Sequence, residues 1–185
     1  MALPVFGKAH QGTAASSDFV WFVYGSSLDR GAFAEWAEHH GYAVPDLSQA
    51  RPARLHGYRL AFDVRSRHWG GAVASLAEAP GEWVEGLAVA LPGAARGLAD
   101  HKEGVVSGLF EPFDVTLRDG EGRELAAVAY RAAAARRLPA EAPASPGYLE
   151  VLRRGAREVG LSPEWVDRLD ALARDAGLPA AGSPG

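Results

Sequence analysis

The chain has 185 residues, 48% of them hydrophobic, enough for one domain with a buried core. Its net charge of −4 and the absence of any basic run disfavour nucleic-acid binding; Arg136-Arg137 lie in an Ala-rich stretch flanked by Glu124 and Glu141. Zero cysteines exclude disulfides and thiolate chemistry and point to a cytoplasmic protein.

Residues 1–17 are small, polar and aperiodic, and read as a flexible N-terminal segment without a secretory signal. Phe19 to Tyr24 is continuously apolar and rich in β-formers, the pattern of a strand buried on both faces. It is far too short to span a bilayer, so no membrane partner is expected. Gly25-Ser26-Ser27 stops the strand. From Leu28 to His40 the residues Phe33, Trp36 and Ala37 recur at helical spacing, with Gly41 as the stop.

Tyr58, Leu60 and Phe62 alternate with polar neighbours as in a half-buried strand, and Gly70 to Ala79 reads as a second one. Pro80-Gly81 is a turn signal, which predicts a hairpin into Trp83 to Leu91. Gly93 to Glu103 reads as a short helix after Pro92, closed by Gly104. Phe110 to Arg118 and Glu124 to Ala132 form a hairpin around Asp119-Gly120-Glu121-Gly122. After a Pro/Ala-rich connection come two amphipathic helices, Pro146 to Val159 and Pro163 to Ala176. Each starts at a proline preceded by a serine, an N-cap followed by N1. The expectation is one α+β domain over 18–177, a mixed, mostly antiparallel barrel-like sheet with flanking helices, and a flexible tail at 178–185.

Two segments carry chemistry. Glu103 ends its helix, where the negative end of the helix dipole disfavours ionisation; burial would raise its pKa further and suit it to proton transfer. On spacing alone a solvated helix-end glutamate beside Lys102 is the simpler explanation. Tyr24-Gly25-Ser26-Ser27-Leu28 joins strand to helix with small residues whose N–H groups can hold a carboxylate or an oxyanion. An ordinary turn capped by Ser26 or Ser27 fits that segment as well. Together they suggest a general base facing a backbone cradle for a small anionic substrate. Trp69 and Tyr24 are candidates for a substrate wall, although aromatics beside strands are more often core. Tyr130, late in a strand, is a further candidate to reach the pocket. Asp100 either orients Glu103 or is an exposed helix charge. His39 and His40 are adjacent and diverge on a helix, and His56, His68 and His101 are isolated, so no metal site is expected.

These segments resemble the γ-glutamylcyclotransferase-like (AIG2-like) family, in order and over about 21–169. Tyr24 to Leu28 is similar to its Tyr-Gly-Ser-Asn-Leu loop, with Ser27 in place of Asn. Gly57-Tyr58-Arg59-Leu60-Ala61-Phe62 and Trp69-Gly70-Gly71 resemble its following strands. Asp100 to Gly104 resembles its Asp-x-x-Glu-Gly segment, with Ala99 where a leucine often precedes it. Val105-Val106-Ser107-Gly108-Leu109-Phe110 lacks the tyrosine often found there. Ser145-Pro146, Tyr148-Leu149 and Gly155-Ala156-Arg157-Glu158 resemble the terminal helix.

The resemblance implies an enzyme that releases a γ-glutamyl group as 5-oxoproline, freeing an amine. The substrate's own α-amine attacks its γ-carbonyl, so no covalent nucleophile, metal or cofactor is required. By the match, Glu103 performs both proton transfers, and Gly25, Ser26 and Ser27 supply backbone donors to the substrate carboxylate or the oxyanion. The partner is then a small γ-glutamyl compound; the oligomeric state is left open. The alternative is a non-catalytic binder of a small acidic metabolite on the same fold. A serine hydrolase using Ser26 or Ser27 ranks last, since no His–Asp set accompanies them.

Overall fold

A computed structural model of the chain describes residues 17–178. The segments read as flexible, 1–17 and 178–185, lie outside the described residues except for Ser17 and Leu178. Five strands close into a barrel in the order β1 (Phe19–Val23), β3 (Gly71–Leu91), β2 (Arg51–Ser66), β4 (Phe110–Asp119) and β5 (Glu124–Ala132). Every pairing is antiparallel except the closing one, where β1 meets β5 in parallel at Trp21↔Val128. The expected mixed, mostly antiparallel barrel is therefore the observed one. Closure explains why β1 is apolar on successive residues, since Trp21, Phe22 and Val23 are all buried, between the barrel interior and the helices outside it.

The hairpin at Pro80-Gly81 is not formed. Chain reversal occurs earlier, at Arg67 to Gly70 between β2 and β3, and β3 runs on through Pro80-Gly81. There the register against β2 jumps from His56↔Trp83 to Tyr58↔Glu78, and the break contains Gly57 (φ 82°) on β2 and Gly81 (φ 87°) on β3. The turn residues supply the positive φ that a bulge needs, and the strand bends without changing partner.

The helices form where capping signals lie. After a 3₁₀ turn at Ser26–Leu28, α1 (Arg30–His39) begins at Asp29, whose Oδ1 accepts the Ala32 N–H at 3.0 Å. The cap is thus Asp29, neither Ser26 nor Ser27. A 3₁₀ turn at Gly93–Ala95 leads into α2 (Arg96–Lys102), with Glu103 at its C-cap and Gly104 (φ 69°) just past it. α3 (Pro146–Glu158) and α4 (Pro163–Asp175) are capped by Ser145 and Ser162, as the serine–proline pattern predicts. α3 crosses the Ser26–Leu28 turn at Gly155, so closely that a Cβ there would lie 2.7 Å from the Asp29 nitrogen. Arg154 clamps the same junction by donating to the Asp29 carboxylate. This packing sets the position of the loop that follows β1.

Candidate active site

A cavity of about 810 Å³ opens where the β1–α1 loop, α2, the β2–β3 turn and α3 converge. Of the residues expected to contact substrate, Tyr24, Gly25, Ser26, Ser27 and Trp69 line it, together with Glu103. Leu28 and Tyr130 do not. Leu28 is fully buried against α3, since the 3₁₀ turn points its side chain away from the cavity. Tyr130 is fully buried too; its hydroxyl is directed to Asp100, donating at 2.6 Å, while Arg96 donates to the same Oδ1 at 3.0 Å. Asp100 therefore neither orients Glu103 nor stands free.

The loop is braced from below. The Tyr24 hydroxyl donates to the Tyr130 carbonyl at 2.6 Å, which fixes the last residue before Gly25. Leu28 and Asp29 donate their N–H groups to Gly25 and Ser26 within the 3₁₀ turn. That leaves the N–H groups of Ser26 and Ser27 ahead of the turn without a protein acceptor among the described residues. Two unpartnered donors on a cavity wall are a ready place for a carboxylate or an oxyanion.

Glu103 stands on the same cavity. Among the described residues its carboxylate has no hydrogen-bond donor, and burial pushes its pKa up to about 7, with the nearby Lys102 opposing. Desolvation is thus the leading cause, on top of the unfavourable helix end read from the sequence. The charge of Glu103 in turn helps hold the Tyr24 and Tyr148 hydroxyls above their ordinary pKa, after burial, so both stay protonated.

The sequence places Tyr148 only in the terminal helix and does not reveal its place on this wall. Its ring meets Trp69 edge to face at 5.4 Å, and its oxygen accepts the Ala74 N–H at 3.1 Å. The hydroxyl proton is left without a protein acceptor among the described residues, so it is available to a ligand. The signal was present as an aromatic one turn into a helix, but nothing local distinguishes it from core. The outer wall also holds Trp36, His39, His40 and Lys102, none of them singled out for this role. Among the described residues no group of three or more acidic, histidine or cysteine side chains is placed to hold a metal ion. No helix among them is long and apolar enough to cross a membrane.

A closed barrel of this topology with flanking helices is seen in known proteins. The profile of the AIG2-like family matches residues 83–169. The chain is 29% identical to a γ-glutamylcyclotransferase of Bos taurus, over 90% of this chain and 85% of that protein. It is 28% identical to a γ-glutamylcyclotransferase of Homo sapiens, over 83% and 78% respectively. Among solved structures, a γ-glutamyl cyclotransferase superposes with a TM-score of 0.69 at 25% identity, covering 91% of this chain and 92% of that one. YkqA from Bacillus subtilis gives a TM-score of 0.71 at 26% identity, over 89% of this chain and 56% of that one. These likenesses, in sequence and in fold, run along most of the chain and support the γ-glutamylcyclotransferase-like family. The relatives named for that activity support an enzyme of this family.

Proposed function

We propose that this protein cyclises the γ-glutamyl group of a γ-glutamyl amine to 5-oxoproline and releases the amine, with Glu103 as general base and then general acid. The observation that carries this is the Glu103 carboxylate, its pKa raised to about 7, on a cavity wall shared with two unpartnered backbone donors. A base is most effective when its pKa lies near the working pH, and burial has brought Glu103 there.

In this mechanism Glu103 takes the proton from the substrate's α-nitrogen. The nitrogen lone pair forms the new C–N bond to the γ-carbon, and the carbonyl electrons move onto oxygen. The Ser26 and Ser27 N–H groups and the Tyr148 hydroxyl are the donors at hand for the substrate's negative oxygens. Collapse of the intermediate restores the carbonyl and breaks the bond to the departing nitrogen, which receives the proton from Glu103. The α-ammonium gives up two protons in all: one passes through Glu103 to the departing nitrogen, the other goes to the freed amine or to solvent, and no water is consumed. Holding nucleophile and electrophile within one molecule removes much of the entropic barrier. A cytosolic setting goes with the lack of cysteine.

The test is incubation with a panel of γ-glutamyl amines, with 5-oxoproline and the freed amine detected by mass spectrometry. N-acetylation of the substrate's α-amine removes the nucleophile and leaves the scissile amide intact, so turnover should stop. Cleavage of the acetylated compound at a similar rate, or glutamate as first product, would show a hydrolase. Binding of the panel without turnover would mark a non-catalytic metabolite binder.

A further inference from the structure

The outer half of the cavity carries a charge to which the cyclisation above gives no contact with substrate. Lys102 is the only lysine or arginine among the described residues that line the cavity, and it is half-buried there. Its ammonium lies 4.9 Å from the centre of the Trp36 ring. That ring is itself stacked on His40 at 4.5 Å and on Tyr42 at 5.8 Å, so the indole bracing the lysine is held in place. Among the described residues no carboxylate lies within ion-pair distance of this ammonium. An ammonium withdrawn from bulk water is costly unless an anion faces it.

The other lining carboxylates are Glu103, which the chemistry occupies, and Glu35. Glu35 is exposed at the rim, where solvent and salt screen it, so the half-buried Lys102 dominates the field felt by a bound group. Lys102 also directly precedes Glu103, the residue that must hand its proton to the departing nitrogen. Both line the same cavity, so a negative group a bond or two from that nitrogen has Lys102 as the one lysine or arginine lining it among the described residues.

We propose that Lys102 is a specificity residue that receives a carboxylate borne next to the departing nitrogen, so that amino-acid amines are selected over polyamines and neutral amines. This rests on the cyclisation proposed above, and its test separates the two. γ-Glutamylalanine and its C-terminal amide differ only in that carboxylate. The native protein should prefer the acid, and Lys102→Met should shrink the acid-over-amide preference in kcat/KM by about ten- to a hundredfold, chiefly through KM. Lys102→Arg should restore part of it. Calorimetry on the Glu103→Gln protein, with and without Lys102→Met, should give the same collapse in the ratio of Kd values. If no compound yields 5-oxoproline, cyclisation fails and the Kd ratio alone decides the role of Lys102. Equal losses for acid and amide would place Lys102 on the γ-glutamyl carboxylate or in a structural role. That result, or an unchanged ratio, overturns the proposal.

Discussion

Glu103 combines three conditions that rarely meet in one carboxylate: a helix C-cap, partial withdrawal from solvent, and no hydrogen-bond donor among the described residues to hold its charge. Each favours the protonated form, and Lys102 is the opposing influence that keeps the pKa near 7. Glu103→Gln keeps the shape and cannot accept a proton. We expect it to lower kcat by about 10²-fold or more while substrate still binds. Near-native turnover in that variant would remove Glu103 from the mechanism. The sign of the pH dependence follows from the same group. The base works only when ionised, so kcat/KM should fall as pH drops through about 7, where Glu103 takes up its proton. A profile flat between pH 5 and 8 in steady-state assays would contradict that assignment.

At the scale of elements, the loop proposed to cradle substrate depends on how closely α3 approaches it. A Cβ at Gly155 would come 2.8 Å from the Leu28 carbonyl carbon and 2.7 Å from the Asp29 nitrogen, both parts of a backbone that cannot rotate away. Gly155→Ala should cost about 1–3 kcal/mol by overpacking and, by pushing the loop aside, lower kcat/KM. Gly147→Ala on the same helix has nothing within 4 Å of the added methyl and serves as the control. Equal activity and stability of the two variants would show that α3 does not position the loop. What was legible here follows a physical rule. Ser145, Ser162 and their prolines declare helix starts through contacts two or three residues away, so the sequence carries them. Pro80-Gly81 declares only a need for special dihedrals, and whether the chain reverses or bulges is decided by pairing with β2 far away in sequence. The placement of Glu103 and of the Ser26–Leu28 turn on one cavity was legible because each sits at a junction of elements. Tyr148 was not, because its role arises from contacts with Ala74 and Trp69, both more than seventy residues away. The Tyr130 expectation failed for a related reason: the sheet places it, but Asp100 one turn into α2 claims its hydroxyl.

The whole molecule carries an ionisable group in a place that folding alone would not choose. The closed barrel, with Trp21, Phe22, Leu76, Leu117 and Tyr130 fully buried, supplies the stability against which this is set. Glu103 titrates near 4.5 when the chain is unfolded and at about 7 when folded. Below pH 4.5 it is protonated in both states and costs nothing. As pH rises toward and through 7 the unfolded chain ionises freely while the folded one resists, so stability is lost. A glutamine side chain cannot ionise, and the Glu103→Gln protein is spared that loss. Its stability advantage over the native protein should therefore grow from near zero at pH 4.5 to a plateau above pH 7. The separation of the two pKa values sets an upper bound of about 3 kcal/mol on that plateau. In a protein of this length it would appear as a rise in Tm of several degrees at pH 8. All other titrating groups are common to both proteins, so urea or thermal unfolding of the pair at pH 4.5, 6 and 8 isolates this one carboxylate. A difference that stays constant with pH would mean that Glu103 titrates alike in the folded and unfolded chains. The proton-shuttle role would then lose the raised pKa on which it is built.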